Sequence, residues 1–195
     1  MDSIVANRQE ITRRNKIHPK KFALIVACGS LMMMFAAFTS AYIVRQAAGN
    51  WLEFRLPNVF FVSTIILLAS SLSLHGSYLS FKKGNVQAYR WLMVLSFVLG
   101  LGFVVSQYLG WQALVGIGVE LTTNPSGSFV YVISGVHVAH VLGGIAALLV
   151  ALLHAFTLPY KLTKKRKLRF EMTLIYWHFV DLLWVYLLLF FILQG

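Results

Sequence analysis

Charge is scarce in this chain and cysteine is almost absent. Of 195 residues only 12% are Asp, Glu, Lys or Arg, and six are acidic. Globular domains carry about a quarter charged residues. The single cysteine, Cys28, cannot close a disulfide within the chain. A zinc or iron–sulfur site built on cysteines is excluded for one copy by the same count. No internal repeat or low-complexity tract is evident. What fills the sequence instead is apolar: 58% of residues are hydrophobic and 14% aromatic. They gather into runs longer than a globular core strand or helix needs, which reads as an integral membrane protein.

Five such runs stand out, about 22–44, 57–81, 91–115, 128–156 and 172–193. Each is long enough to cross a hydrocarbon core of about 30 Å as a helix rising about 1.5 Å per residue. In lipid every backbone polar group must be satisfied within the segment, so the runs are expected to be helices. The expected architecture is all-α: one polytopic domain over 1–195, with a polar arm at 1–21. The run after that arm exceeds a signal-peptide core, so it reads as an uncleaved first span.

The net charge of +11 is not spread like a nucleic-acid surface. The arm holds Arg8, Arg13, Arg14, Lys16, Lys20 and Lys21. The second loop holds Lys82, Lys83 and Arg90, and the fourth holds Lys161, Lys164, Lys165, Arg166, Lys167 and Arg169. These alternate segments contain fifteen of the 17 basic residues, leaving Arg45 and Arg55 for the other side. The positive-inside rule then puts the N-terminus in the cytoplasm and the C-terminus outside. In the third loop, GIGVELTTNPSGS, Asn124-Pro125 and Ser126-Gly127 have turn chemistry. That loop suits either a partner's outer surface or a solvated connector. Small residues in the spans (Gly100, Gly102, Gly143, Gly144) and the hydroxyls of Ser70, Ser71 and Ser73 suit close helix packing.

The fifth span contains YWHFVDLLWVYLLLFFI, apolar except for His178 and Asp181. A carboxylate at the bilayer centre costs about 2.5–3.5 kcal/mol or more, so Asp181 is expected to face protein. Glu171, His178 and Asp181 fall on one helical stripe, with Trp177 and Trp184 on an adjacent one. The stripe reads as polar glue at a helix interface; a proton path is the sharper alternative, but no other carboxylate lies within a span. Histidines also raise haem. His140 and His154 are about 21 Å apart along one face, the spacing of two stacked haems. A second helix would have to match them, and His75 and His178 supply one imidazole each on two different spans. His137 and His140 are too few for a metal centre without further ligands. A transporter reading lacks paired intramembrane charges and broken-helix repeats.

The segment GSFVYVISGVHVAHVLGG, Gly127 to Gly144, resembles the G-x-H-x-x-H-V-x-x-G helix of haem–copper oxidase subunit III. FEMTLIYWHFVDLLWVYLL, Phe170 to Leu188, is similar to that family's Glu…Tyr-Trp-His-Phe-Val-Asp…Trp helix. Two weaker likenesses precede them in order, STIILLASS at Ser63 to Ser71 and GLGFVVSQ at Gly100 to Gln107. The resemblance covers nearly the whole chain beyond the arm. It is to the short bacterial form, which lacks the first two of seven spans. Three departures stand out: Ser30-Leu31 where the family usually has Ser-Glu, no Glu after Gln107, and His154 where the fourth helix often ends in Arg.

The resemblance implies a subunit without haem or copper of its own, packed on subunit I, with subunit II in the same complex. Phospholipid would be bound, and proton uptake supported near the interface. The site would be in a bacterial inner membrane, as part of an oxidase that reduces oxygen and pumps protons, alone or in a larger respiratory supercomplex. It further implies a polar interface of Glu171, Tyr176, Trp177, His178 and Asp181, with His137 and His140 as partners. Lys82, Lys83, His154 and Lys161 would be placed to hold lipid head groups. A quinol oxidase subunit, a nitric oxide reductase-associated homologue and a haem-b membrane anchor are the rival readings. Neither the electron donor nor the haem type is legible in this chain.

Overall fold

A computed structural model describes residues 18–122 and 124–194, so Arg8, Arg13, Arg14 and Lys16 of the arm lie outside the described residues. Five helices account for nearly all of it: α1 Pro19–Ala47, α2 Val59–Lys83, α3 Val86–Gly116, α4 Pro125–Thr157 and α5 Lys164–Gln194. All five are long and apolar enough to cross a membrane. Four of the five overrun their apolar runs at both ends, whereas α2 begins two residues inside its run and ends two beyond it. Pro19 opens α1 at a position that needs no amide hydrogen, behind His18, whose Nδ1 accepts from the Lys20 amide at 3.3 Å.

The expected turn at Asn124-Pro125 is in fact the start of α4. Asn124 Oδ1 accepts from the Ser126 amide at 2.9 Å and Pro125 is the first helical residue. Gly127 belongs to that first turn as well. A Cβ there would lie 2.9 Å from Val119 Cγ1 and 3.0 Å from the Glu120 carbonyl oxygen, so glycine lets the preceding loop fold back on the helix. The second loop shrinks to Gly84 and Asn85. Gly84 adopts φ 78°, and the amides of Gly84 and Asn85 return to the carbonyls of Phe81 and Ser80. This Schellman stop reverses the chain within two residues, and Asn85 at once caps α3 through the Ala88 amide. The basic run from Lys164 to Glu171 is not loop but the first two turns of α5.

The tight hairpin makes α2 and α3 the most intimate pair. Helix α4 packs on α3 and α5, α5 on α2 and α4, and α1 lies only against α4 and α5. Lipid is as apolar as leucine, so close fit and buried hydrogen bonds must select these neighbours. Ser70 and Ser96 do so for α2 and α3, each hydroxyl donating to the other's carbonyl at 2.9 and 3.0 Å. Ser77 donates to the Tyr89 carbonyl at 2.8 Å and Gln107 Nε2 to Ser63 Oγ at 2.9 Å. Towards the far end, Trp111 Nε1 reaches Ser134 Oγ, and Tyr131 donates to the carbonyls of Trp111 and Val119.

Candidate functional site

Helix α5 carries the polar residues singled out by sequence, and its position between α2, α4 and α1 sends them in different directions. At the basic end Glu171 is a junction of three helices. It pairs with Lys21 of α1, accepts from the Tyr78 hydroxyl of α2 at 2.6 Å, and has Lys167 at 3.9 Å one turn earlier on its own helix. Tyr78 is a member that sequence reading missed, since a tyrosine at a span's end is unremarkable by pattern. Lys82 sits over the Tyr78 ring at 4.5 Å.

Tyr176 leaves this junction and donates to the His140 carbonyl of α4 at 3.1 Å. Trp177 is buried in a notch cut by two glycines. A Cβ on Gly100 would stand 2.9 Å from its Cη2, and one on Gly144 would stand 2.9 Å from its Cε3 and Cζ3. The expected pairing of small residues is therefore a socket for one indole. Gly102 and Gly143 make only ordinary contacts.

His178 and Asp181 diverge. The His178 ring is half-buried and turns to α2, with Nδ1 on the Ser71 hydroxyl and the His75 ring 5.7 Å away. Asp181 is 4% exposed. It shares the buried stripe with Trp177 and Trp184, which stand four residues before and three after it. Ser71 also faces its carboxyl, yet neither carboxyl oxygen closes a hydrogen bond of normal geometry among the described residues.

The histidines of α4 do not come to meet this pair. His137 is fully buried and stacked on Trp184, with ring centroids 5.0 Å apart, and has Phe35 and Phe103 edge-on. Its ring nitrogens have no partner among the described residues. His140 turns its Nδ1 back on the Val136 carbonyl of its own helix at 2.7 Å. The anticipated contact of Asp181 and His178 with His137 and His140 is thus replaced by a serine of α2. A single hydroxyl among many in the spans gave no sequence signal for this. Among the described residues no three His, Cys, Asp or Glu side chains converge as metal ligands.

A second feature opens beside Tyr176. A cavity of about 750 Å³ runs between α1, α3, α4 and α5, with Leu24, Met93 and Ala147 on its apolar wall and His154, Arg166 and Arg169 lining it too. Of the four residues expected to hold lipid, only His154 lines it. Lys82 and Lys83 end α2, and Lys161 lies in the 158–163 loop. Both arginines were read only as topogenic charge.

Comparison with known proteins bears on the chain as a whole. Residues 21–195 match the family described as cytochrome c oxidase subunit III. The probable cytochrome c oxidase subunit 3 of Mycobacterium tuberculosis is 31% identical over 167 residues, 83% of this chain and 81% of the relative. Cytochrome c oxidase subunit 3 of Corynebacterium diphtheriae is 29% identical over 198 residues, covering 95% of each chain. Cytochrome bo(3) ubiquinol oxidase subunit 3 of Buchnera aphidicola is 28% identical over 189 residues, covering 96% of this chain and 98% of the relative.

Proposed function

The chain belongs to the cytochrome c oxidase subunit III family, and on that premise we propose that it is the non-catalytic subunit III of a bacterial haem–copper terminal oxidase. The observation that carries this reading is the family match across 21–195, which takes in all five helices except the first two residues of α1. Oxygen reduction and proton pumping belong to the haem- and copper-bearing subunit I, beside which this chain packs, with subunit II in the same assembly. The positive-inside rule supports a cytoplasmic N-terminus and an outer C-terminus, and five apolar helices in a chain related to bacterial oxidase subunits support residence in the inner membrane. The Glu171 junction then lies at the cytoplasmic end, where it ties α1, α2 and α5 into one rigid block.

Phospholipid is the ligand that the cavity suits. Its walls are apolar enough for acyl chains, and Arg166, Arg169 and His154 offer donors to a phosphate at the cytoplasmic end. The structural role follows from these two features: a stable block held by Trp177 and Glu171, and a lipid-filled seam beside it. Support of proton uptake would act through the same cytoplasmic end. The relative from a ubiquinol oxidase favours a second reading, in which the assembled enzyme takes electrons from quinol.

Purification of the tagged chain in mild detergent tests both. Recovery of a haem–copper subunit, with oxygen consumed from reduced cytochrome c, is the expected result. Consumption from quinol alone would move the protein to the second reading. A lone chain carrying its own haem band would overturn both.

A further inference from the structure

The outward faces of the helices are not equivalent. On α3 the exposed stripe runs Trp91, Leu95, Val98, Leu101, Val105, Tyr108. Nothing polar interrupts it, and its aromatic ends lie about 25 Å apart along the helix, close to the thickness of a hydrocarbon core. That face suits lipid. The exposed stripe of α2 runs Ile65, Leu68, Leu72, His75, Leu79 and is broken by an imidazole.

His75 is exposed and lies four residues from Ser71, the midpoint of Val59–Lys83, or about 6 Å along the axis. That depth is well inside the hydrocarbon. His140 meets the same problem by bonding the Val136 carbonyl, whereas His75 makes no hydrogen bond among the described residues. Its neighbour on α5, His178, already spends Nδ1 on Ser71. Histidines at membrane depth face protein rather than acyl chains, because an unpaired ring nitrogen in hydrocarbon has no partner. On either side of the pair Leu72 and Leu182 are 75% and 64% exposed, offering apolar surface on which a helix can lie.

We propose that the outward face of α2 and α5 around His75 and His178 docks a transmembrane helix of another oxidase subunit. That helix brings a hydrogen-bonding side chain to the level of His75. The proposal rests on the subunit III reading above and adds to it which face is covered. The α3 face is left to lipid.

A photo-crosslinking residue, benzoylphenylalanine, placed singly at Leu72, Leu79, Leu101 or Val105 of the full chain in the purified complex tests this. Leu72 and Leu79 should crosslink to another oxidase subunit, and Leu101 and Val105 should not. The reverse pattern would overturn the docking face while leaving the subunit assignment intact. Crosslinks between copies of this chain would overturn the partner. A parent chain that purifies alone would remove the assignment and the proposal together. In parallel, His75→Leu should lower the fraction of complex that retains this chain at least threefold, and His75→Gln should restore part of it. Full retention in His75→Leu would remove the hydrogen-bonding role.

Discussion

Trp177 lies so close to Gly144 that a single methyl group on the glycine would stand 2.9 Å from two of the indole carbons. Gly100 approaches the same ring from α3, so one side chain of α5 fixes the spacing of three helices. Carbon atoms pack at about 3.5–4.0 Å, and the socket has no slack to give.

Gly144→Ala should therefore force the indole or the helix to move and cost about 1–3 kcal/mol. Gly100→Ala should behave alike. Gly29→Ala is the control, since nothing lies within 4 Å of a Cβ at that position of α1. Thermal unfolding of the detergent-purified complex, followed by loss of this chain, should rank the variants in that order.

Lys21 pairs with Glu171 of α5 and so holds the start of α1, whose helix neighbours among the described residues are α4 and α5. Both partners are partly exposed, so their coupling in a double-mutant cycle should be on the order of 1 kcal/mol. Glu171→Gln removes the charge that holds Lys21 while its amide oxygen can still accept from the Tyr78 hydroxyl. Faster amide exchange around Lys20–Ile25, with the α2–α3 hairpin unchanged, is the expected signature.

Ser70 and Ser96 donate reciprocally, so either alanine variant keeps one of the two bonds. Each single change should cost about 0.6 kcal/mol, the usual size of such bonds within membranes. The double variant should lose more than the sum if the remaining bond was holding the crossing. Unfolding in mixed detergent measures all three.

Asp181 is buried beside Ser71, and among the described residues neither of its oxygens closes a hydrogen bond of normal geometry. Removing such a group in favour of a similarly sized one is often neutral or stabilising. Asp181→Asn should leave the thermal midpoint of the complex unchanged or raised. Asp181→Ala should lower it, because it leaves a void beside Trp177 and Trp184.

Arg166 and Arg169 line the cavity and Lys82 does not. Replacing both arginines with glutamine should reduce anionic phospholipid retained by the complex several-fold in native mass spectrometry. Lys82→Gln should leave it unchanged. Equal loss in both would mean that lipid follows bulk surface charge.

Much of this was legible in the sequence. Hydropathy alone predicts five helices, because lipid leaves a backbone no other way to satisfy its polar groups. Their ends were less legible. Asn124 and Pro125 read as a turn although the same two residues are a cap and a first helical position, and Lys164–Glu171 read as loop because charge masks helical continuation. The polar stripe on α5 was visible as residue types but not as partners. His178 and Asp181 are only three residues apart and share Ser71 as a neighbour, yet the roughly 60° between them on the helix leaves one ring half-buried beside His75 and the other side chain buried with Trp177 and Trp184.

The sequence by itself determined the class of the protein, the number of its helices and its family, since each of these rests on local composition or on ordered motifs along one chain. Only the tertiary structure decided which helices touch. It chose Ser71 over His137 and His140 as the neighbour of His178, and turned two glycines on separate helices into one socket for Trp177. It also left His75 facing outward. The reason is that lipid does not discriminate between apolar faces, so the choice of neighbour falls to close fit and a few buried hydrogen bonds. Those depend on where helices far apart in sequence meet.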